Sequence, residues 1–140
     1  MQMIRISTFL RRALFADAAT CTVTGLLSII FSETLGALLE LPAQLLFYAG
    51  LSLLPFAAFL LFVGTRRRTA SIFVWAIILL NALWTLDSFL ILLAGWVAPN
   101  AFGSGFVILQ AVGVTVLAGL EFIGLKRSET QNAATIEQIS

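Results

Sequence analysis

The chain of 140 residues has no histidine and one cysteine, Cys21. A single cysteine excludes an intramolecular disulfide, a CxxC redox pair and a cysteine-rich metal site. Without histidine there is no His-ligated haem, no two-His metal site and no Ser-His-Asp triad. Most membrane redox chemistry is thereby removed, and no cofactor or metal is expected. Charge is scarce too: 11% of residues are Asp, Glu, Lys or Arg, against about a quarter in soluble domains. The net charge of +1 is carried by short basic clusters beside apolar segments, which anchor a chain rather than bind nucleic acid.

What the sequence has in abundance is apolar length. Hydrophobic residues make up 60% of the chain, and the mean hydropathy is +1.04. A bilayer core about 30 Å thick takes roughly 20 residues per helical crossing, so four crossings use nearly the whole chain. The pattern predicts an all-α membrane protein, a four-helix bundle with short loops. Its spans are residues 10–31, 43–63, 70–94 and 101–125. Residues 32–41 read as an amphipathic interfacial segment, residues 1–127 as one domain, and 128–140 as a polar, flexible tail. Pro42 suits the first turn of the second span, Pro55 predicts a kink within it, and Gly95 ends the third. Trp75 and Trp96 read as interfacial anchors.

The basic clusters set the orientation. Arg5, Arg11 and Arg12 precede or open the first span, Arg66, Arg67 and Arg68 follow the second, and Lys126 and Arg127 follow the fourth. An even number of crossings puts all three on one side, so both termini are expected in the cytoplasm. Asp17 interrupts the apolar run soon after Arg12, and the run continues past Cys21. The first span therefore reads as a retained helix rather than a cleaved signal.

Three acids remain inside the spans: Asp17, Asp87 and Glu121. Carboxylates are costly in lipid and mark a polar interior or a functional site. At about 100° per residue, each span has one polar or small face. The first gathers Asp17, Thr20, Cys21, Thr24 and Ser28, and the second Gln44, Tyr48, Ser52 and Pro55. The third gathers Asn81, Trp84, Thr85, Asp87 and Ser88, and the fourth Gln110 and Glu121 with Gly103, Gly113 and Gly124. Four such faces turned inward make a bundle with a polar interior.

Asp17 and Glu121 lie at similar depth on the first and last spans and are expected to face one another. Arg11 or Arg12 is within reach of Asp17, and Lys126 of Glu121, so snorkelling ion pairs are the plainer reading. Asn81 and Gln110 fall near mid-span and are expected to pair. Asp87 is expected to be buried towards the outer side without a basic neighbour, which makes it the first candidate for ligand or proton binding. The candidate interior site is thus Asp87, Asn81, Trp84, Asp17, Glu121, Gln110 and Tyr48.

Several stretches resemble those of a group of small bacterial four-helix membrane proteins to which no activity is assigned. They are Arg11–Ala18 (RRALFADA), Leu54–Ala57 (LPFA), Asn81–Trp84 (NALW) and Gly119–Leu125 (GLEFIGL). The resemblance spans nearly the whole chain and implies a bacterial inner membrane, with no chemistry attached. The favoured function is an accessory, structural or oligomerising membrane component, because short loops leave no soluble catalytic domain. Its partners would be the lipid bilayer and a homo-oligomer or larger membrane complex. The alternative is a small ion- or proton-coupled transporter using the embedded carboxylates. In size and plan the chain resembles small multidrug-resistance transporters, which carry a carboxylate on the first of four helices. A membrane enzyme using a carboxylate pair as acid and base ranks last.

Overall fold

In the computed structural model, strand β1 (Met3–Arg5) leads into helix α1 (Thr8–Ile30), followed by α2 (Ser32–Leu39) and α3 (Ala43–Thr65). Strand β2 (Arg68–Ala70), α4 (Ser71–Leu93) and α5 (Ala101–Ile139) complete the chain. Residues 3–95 and 99–139 are described, so the expected anchor Trp96 lies outside them. The architecture is helical, and α1, α3, α4 and α5 are each long and apolar enough to cross a membrane.

Local chemistry sets the helix ends. Ser7 is extended, and its hydroxyl accepts the Leu10 N–H at 3.2 Å, capping α1. Glu40 takes a left-handed conformation at φ 55° after α2, and Pro42 stands at the N-cap of α3. Pro55 sits inside α3 without ending it. The segment expected at the interface, 32–41, holds the short helix α2, which seats the start of α5: Asn100 Nδ2 donates to Leu38 O at 2.8 Å. The Asn100 side-chain oxygen then caps α5 by accepting the Gly103 N–H at 2.8 Å.

Small residues decide which helices touch. α1 and α3 cross where Gly25 meets Gly50; a Cβ on Gly50 would stand 2.7 Å from the Gly25 carbonyl oxygen. A Cβ on Gly124 of α5 would stand 2.8 Å from Leu10 Cα of α1. α1 therefore lies between α3 and α5, α4 packs on α5, and α3 and α4 scarcely meet. One tight core, with Ile4, Leu10, Leu14, Leu60, Val74, Ile77 and Leu125 fully buried, fills the end of the bundle nearest the basic clusters. Outward, large apolar side chains such as Ile30, Leu79, Leu93, Phe102 and Leu109 are exposed. A water-soluble monomer rarely shows so much apolar surface.

Two features depart from the sequence reading. Residues 128–139 continue α5 as helix where a polar tail was expected. The reason is Ser128, whose Oγ accepts the buried Ser7 N–H at 3.0 Å and lies 3.1 Å from Ser7 Oγ. That clasp fixes the helix one turn past Gly124, and polar side chains suffice to carry it on. The second is an antiparallel ribbon, with Met3 opposite Ala70, Ile4 opposite Thr69 and Arg5 opposite Arg68. Strands of three residues are too short to show a two-residue period in sequence.

Candidate functional site

At the centre of the bundle, Asn81 of α4 uses both hydrogens of one amide group on two carboxylates from other helices. Its Nδ2 donates to Asp17 Oδ2 of α1 at 2.8 Å and to Glu121 Oε1 of α5 at 2.7 Å. The second Asp17 oxygen accepts from Cys21 Sγ at 3.5 Å. Asp17, Asn81 and Glu121 are all buried, and Glu121 Oε2 has no hydrogen-bond partner among the described residues. Such short contacts between an amide and carboxylate oxygens are charge-assisted when the acceptor is ionised.

Helix geometry explains the convergence. Leu14, Ile77 and Leu125 belong to the sealed core. Asp17, Asn81 and Glu121 lie three or four residues from them on the same helices, hence one turn away on the same inward face. Gly124 brings α5 against α1 at Leu10; Glu121, one turn further in, and Asp17, two turns further in, then converge on the same Asn81 amide. Asn81 then bridges a gap that the backbones of α1 and α4 do not close.

On the other side of this cluster opens a cavity of about 680 Å³. Asp17, Asn81, Thr20, Cys21, Thr24, Ser52, Gln110 and Trp84 supply its polar lining, and Phe56 and Phe106 its aromatic lining. Exposed Leu80 and Leu109 also line it, and it occupies the space left where α3 and α4 part. Trp84 Nε1 is buried and has no hydrogen-bond partner among the described residues, which leaves an indole donor on the wall. Buried donors of this kind are rare, and each calls for an explanation. Glu121 does not line the cavity; it lies behind Asn81, linked to Asp17 through the shared amide. The core of Leu10, Leu14, Leu60, Ile77 and Leu125 closes the space between the cluster and the basic end.

Of the seven candidate residues, Asp17, Asn81 and Glu121 meet in the cluster, and Trp84 and Gln110 line the cavity beside it. Asp87 and Tyr48 do not join them. Asp87 is exposed, contrary to the expected burial, because six residues of helix separate it from Asn81 and turn it about 120° away. Tyr48 is exposed and rests edge-on against Phe47 at 5.5 Å. The face of α3 turned inward is Gly50, Leu53, Ala57 and Leu60, so of its expected polar arc only Ser52 reaches the cavity.

Among the described residues, neither Asp17 nor Glu121 has the expected basic partner. Arg11 Nη2 donates to Arg66 O at 3.0 Å, and Lys126 pairs with Glu129 at 3.5 Å while lying over Trp75 and Phe122. Among the described residues no hydrogen bond joins Asn81 to Gln110; the Asn81 amide hydrogens go to the two acids, and Gln110 faces the cavity. Sequence reasoning also passed over Phe56 and Phe106, which no pattern separates from the many other apolar residues of these helices. Among the described residues, no three metal-ligating side chains gather. Comparison of the chain with family models, with curated proteins and with solved structures finds no match.

Proposed function

We propose that the chain is a four-span protein of the bacterial inner membrane with both termini in the cytoplasm, carrying a small amphipathic cation in exchange for a proton. The buried Asp17–Asn81–Glu121 cluster at the floor of the cavity carries this reading. The basic clusters at one end of the bundle favour the orientation, and the exposed apolar belt favours lipid around it.

Two carboxylates meeting on one amide repel when both are ionised, and a low-dielectric interior strengthens the repulsion. One proton shared between the two acids removes that repulsion, and the proposed exchange turns on it. A cation entering the cavity supplies the missing positive charge at Asp17 and releases that proton; its departure lets the proton return. Trp84, Phe56 and Phe106 offer ring faces to the cation, and Thr20, Thr24, Ser52 and Gln110 offer hydrogen bonds to its polar edge. The closed core at the basic end keeps the cluster from opening to both sides at once.

The test is proton movement in liposomes holding purified protein and a pH-sensitive dye, across a panel of amphipathic cations. Wild type should show cation-dependent proton flux that Asp17→Asn and Glu121→Gln abolish and Asp87→Asn leaves intact. Flux that persists in both cluster variants would exclude the mechanism.

A second reading, an accessory or self-associating membrane component, is favoured by Gly105 and Gly119 of α5. A Cβ on either meets nothing within 4 Å, which leaves a flat strip for another helix. No flux in wild type, with a stable complex recovered in mild detergent, would select it.

A further inference from the structure

We infer that the basic end of the molecule holds a second site, a groove that binds a phosphate group through Arg5, Arg67 and Arg68. It has a volume of about 430 Å³ and is lined by these three arginines with Gln131 and Thr135 of α5. The register of the ribbon builds it. Ile4 and Thr69 turn inward and are buried, so their neighbours Arg5 and Arg68 turn outward, directly opposite one another on the same face. Like charges in that position destabilise a strand pair. An anion between them reverses the sign of the interaction.

Four of the five other basic residues are engaged: Arg11 donates to Arg66 O, Arg66 lies 4.3 Å over the Phe62 ring, Arg127 lies 4.6 Å over Phe9, and Lys126 pairs with Glu129. The fifth, Arg12, is exposed and stands outside the groove, whereas Arg5, Arg67 and Arg68 share one. No hydrogen bond or ion pair among the described residues engages the guanidinium groups of Arg5, Arg67 or Arg68. They are nevertheless held: Ile6 N donates to Arg67 O at 3.0 Å, and the Ser7–Ser128 clasp fixes α5 alongside. Gln131 and Thr135 are one turn apart on α5; Gln131 adds an amide donor to the same groove, while the Thr135 hydroxyl donates to Gln131 O at 3.0 Å and packs the wall. Guanidinium forks match phosphate oxygens two at a time, which an ammonium does not.

Phosphate reaches this place from two sources. One is the headgroup of an anionic lipid, since the groove lies where the apolar helices end. The other is a soluble phosphate. The inference does not depend on the transport reading above. The test uses full-length protein in a neutral detergent and follows its thermal unfolding midpoint. Phosphatidylglycerol, phosphatidylcholine and inorganic phosphate are each titrated into wild type and into Arg→Lys variants. Lysine keeps the charge that orients the chain and removes only the fork.

Wild type should gain several degrees with phosphatidylglycerol or with inorganic phosphate. The Arg5→Lys/Arg68→Lys protein should need at least tenfold more ligand, and Arg12→Lys, outside the groove, should behave as wild type. A rise with the lipid alone identifies a headgroup site, and a rise with inorganic phosphate as well identifies a site for free phosphate. No rise with either, or an equal loss in Arg12→Lys, overturns the inference. Where the double variant fails to fold, Arg67→Lys alone carries the same comparison.

Discussion

Replacing Asn81 with alanine removes the one group that holds the two buried acids. Its amide makes two short contacts, at 2.8 and 2.7 Å, to acceptors on different helices. In soluble proteins, a hydrogen bond to a charged group contributes about 1.5–3 kcal/mol. Polar contacts between helices in a bilayer average nearer 0.6 kcal/mol, because the unfolded chain finds partners too. Two contacts therefore bracket the loss between about 1 and 6 kcal/mol. The bilayer figure is the closer reference, and about 1–3 kcal/mol is expected. Every 1.4 kcal/mol is about tenfold in the folded-to-unfolded ratio, so unfolding in mixed micelles with rising dodecyl sulfate resolves the change. The decisive comparison repeats Asn81→Ala in an Asp17→Asn/Glu121→Gln background. There the bridge is already uncharged, and the loss should shrink by at least about 0.5 kcal/mol. Equal losses in the two backgrounds, or an Asn81→Ala protein as stable as wild type, would refute the bridge.

Other outcomes follow from the same geometry. Gly50→Ala should destabilise by about 1–3 kcal/mol in the same assay, since its Cβ would press on the Gly25 carbonyl oxygen. Gly119→Ala meets open space and should be neutral or stabilising by up to about 1 kcal/mol. Ser128→Ala leaves the Ser7 N–H buried without its acceptor; a loss of about 1–2 kcal/mol and faster hydrogen exchange at Ser7 are expected. In a Cys21→Ser background, Thr24→Cys should react with a membrane-impermeant thiol reagent added at the face opposite the basic clusters. Reagent added at the basic face should leave it unmodified, because the core around Leu14 and Ile77 intervenes.

The helical architecture was legible because apolar length is a property of each segment alone. The meeting of Asp17 and Glu121 was legible for a related reason: both lie a fixed number of residues from a basic helix end, and equal depth follows from counting. What sequence did not reveal is rotation. Asn81 and Asp87 fit one polar arc, yet the face that buries is the one centred on Asn81 and Ser88, and Asp87 falls outside it. For α3 the burial went to Gly50, Leu53 and Ala57 rather than to the arc of Gln44 and Tyr48. Close backbone approach outweighed the polar face there. Lys126 and Arg11 found aromatic rings and a carbonyl nearer than the acids, a choice that depends on three-dimensional neighbours.

The clasp between Ser7 and Ser128 has a consequence for how the protein is made. It joins residues 121 positions apart, and Asp17 likewise waits for Asn81 and Glu121. The residues that join α1 to α3, Gly25 and Gly50 among them, are all synthesised before α4. Asp17 thus spends most of translation on an unfinished hairpin, without its amide. The cluster closes only when α4 and α5 arrive as a second pair and dock against the first. A chain that stalls before Glu121 would therefore display a lone acid in its first helix, a mark by which quality control can tell half a bundle from a whole one.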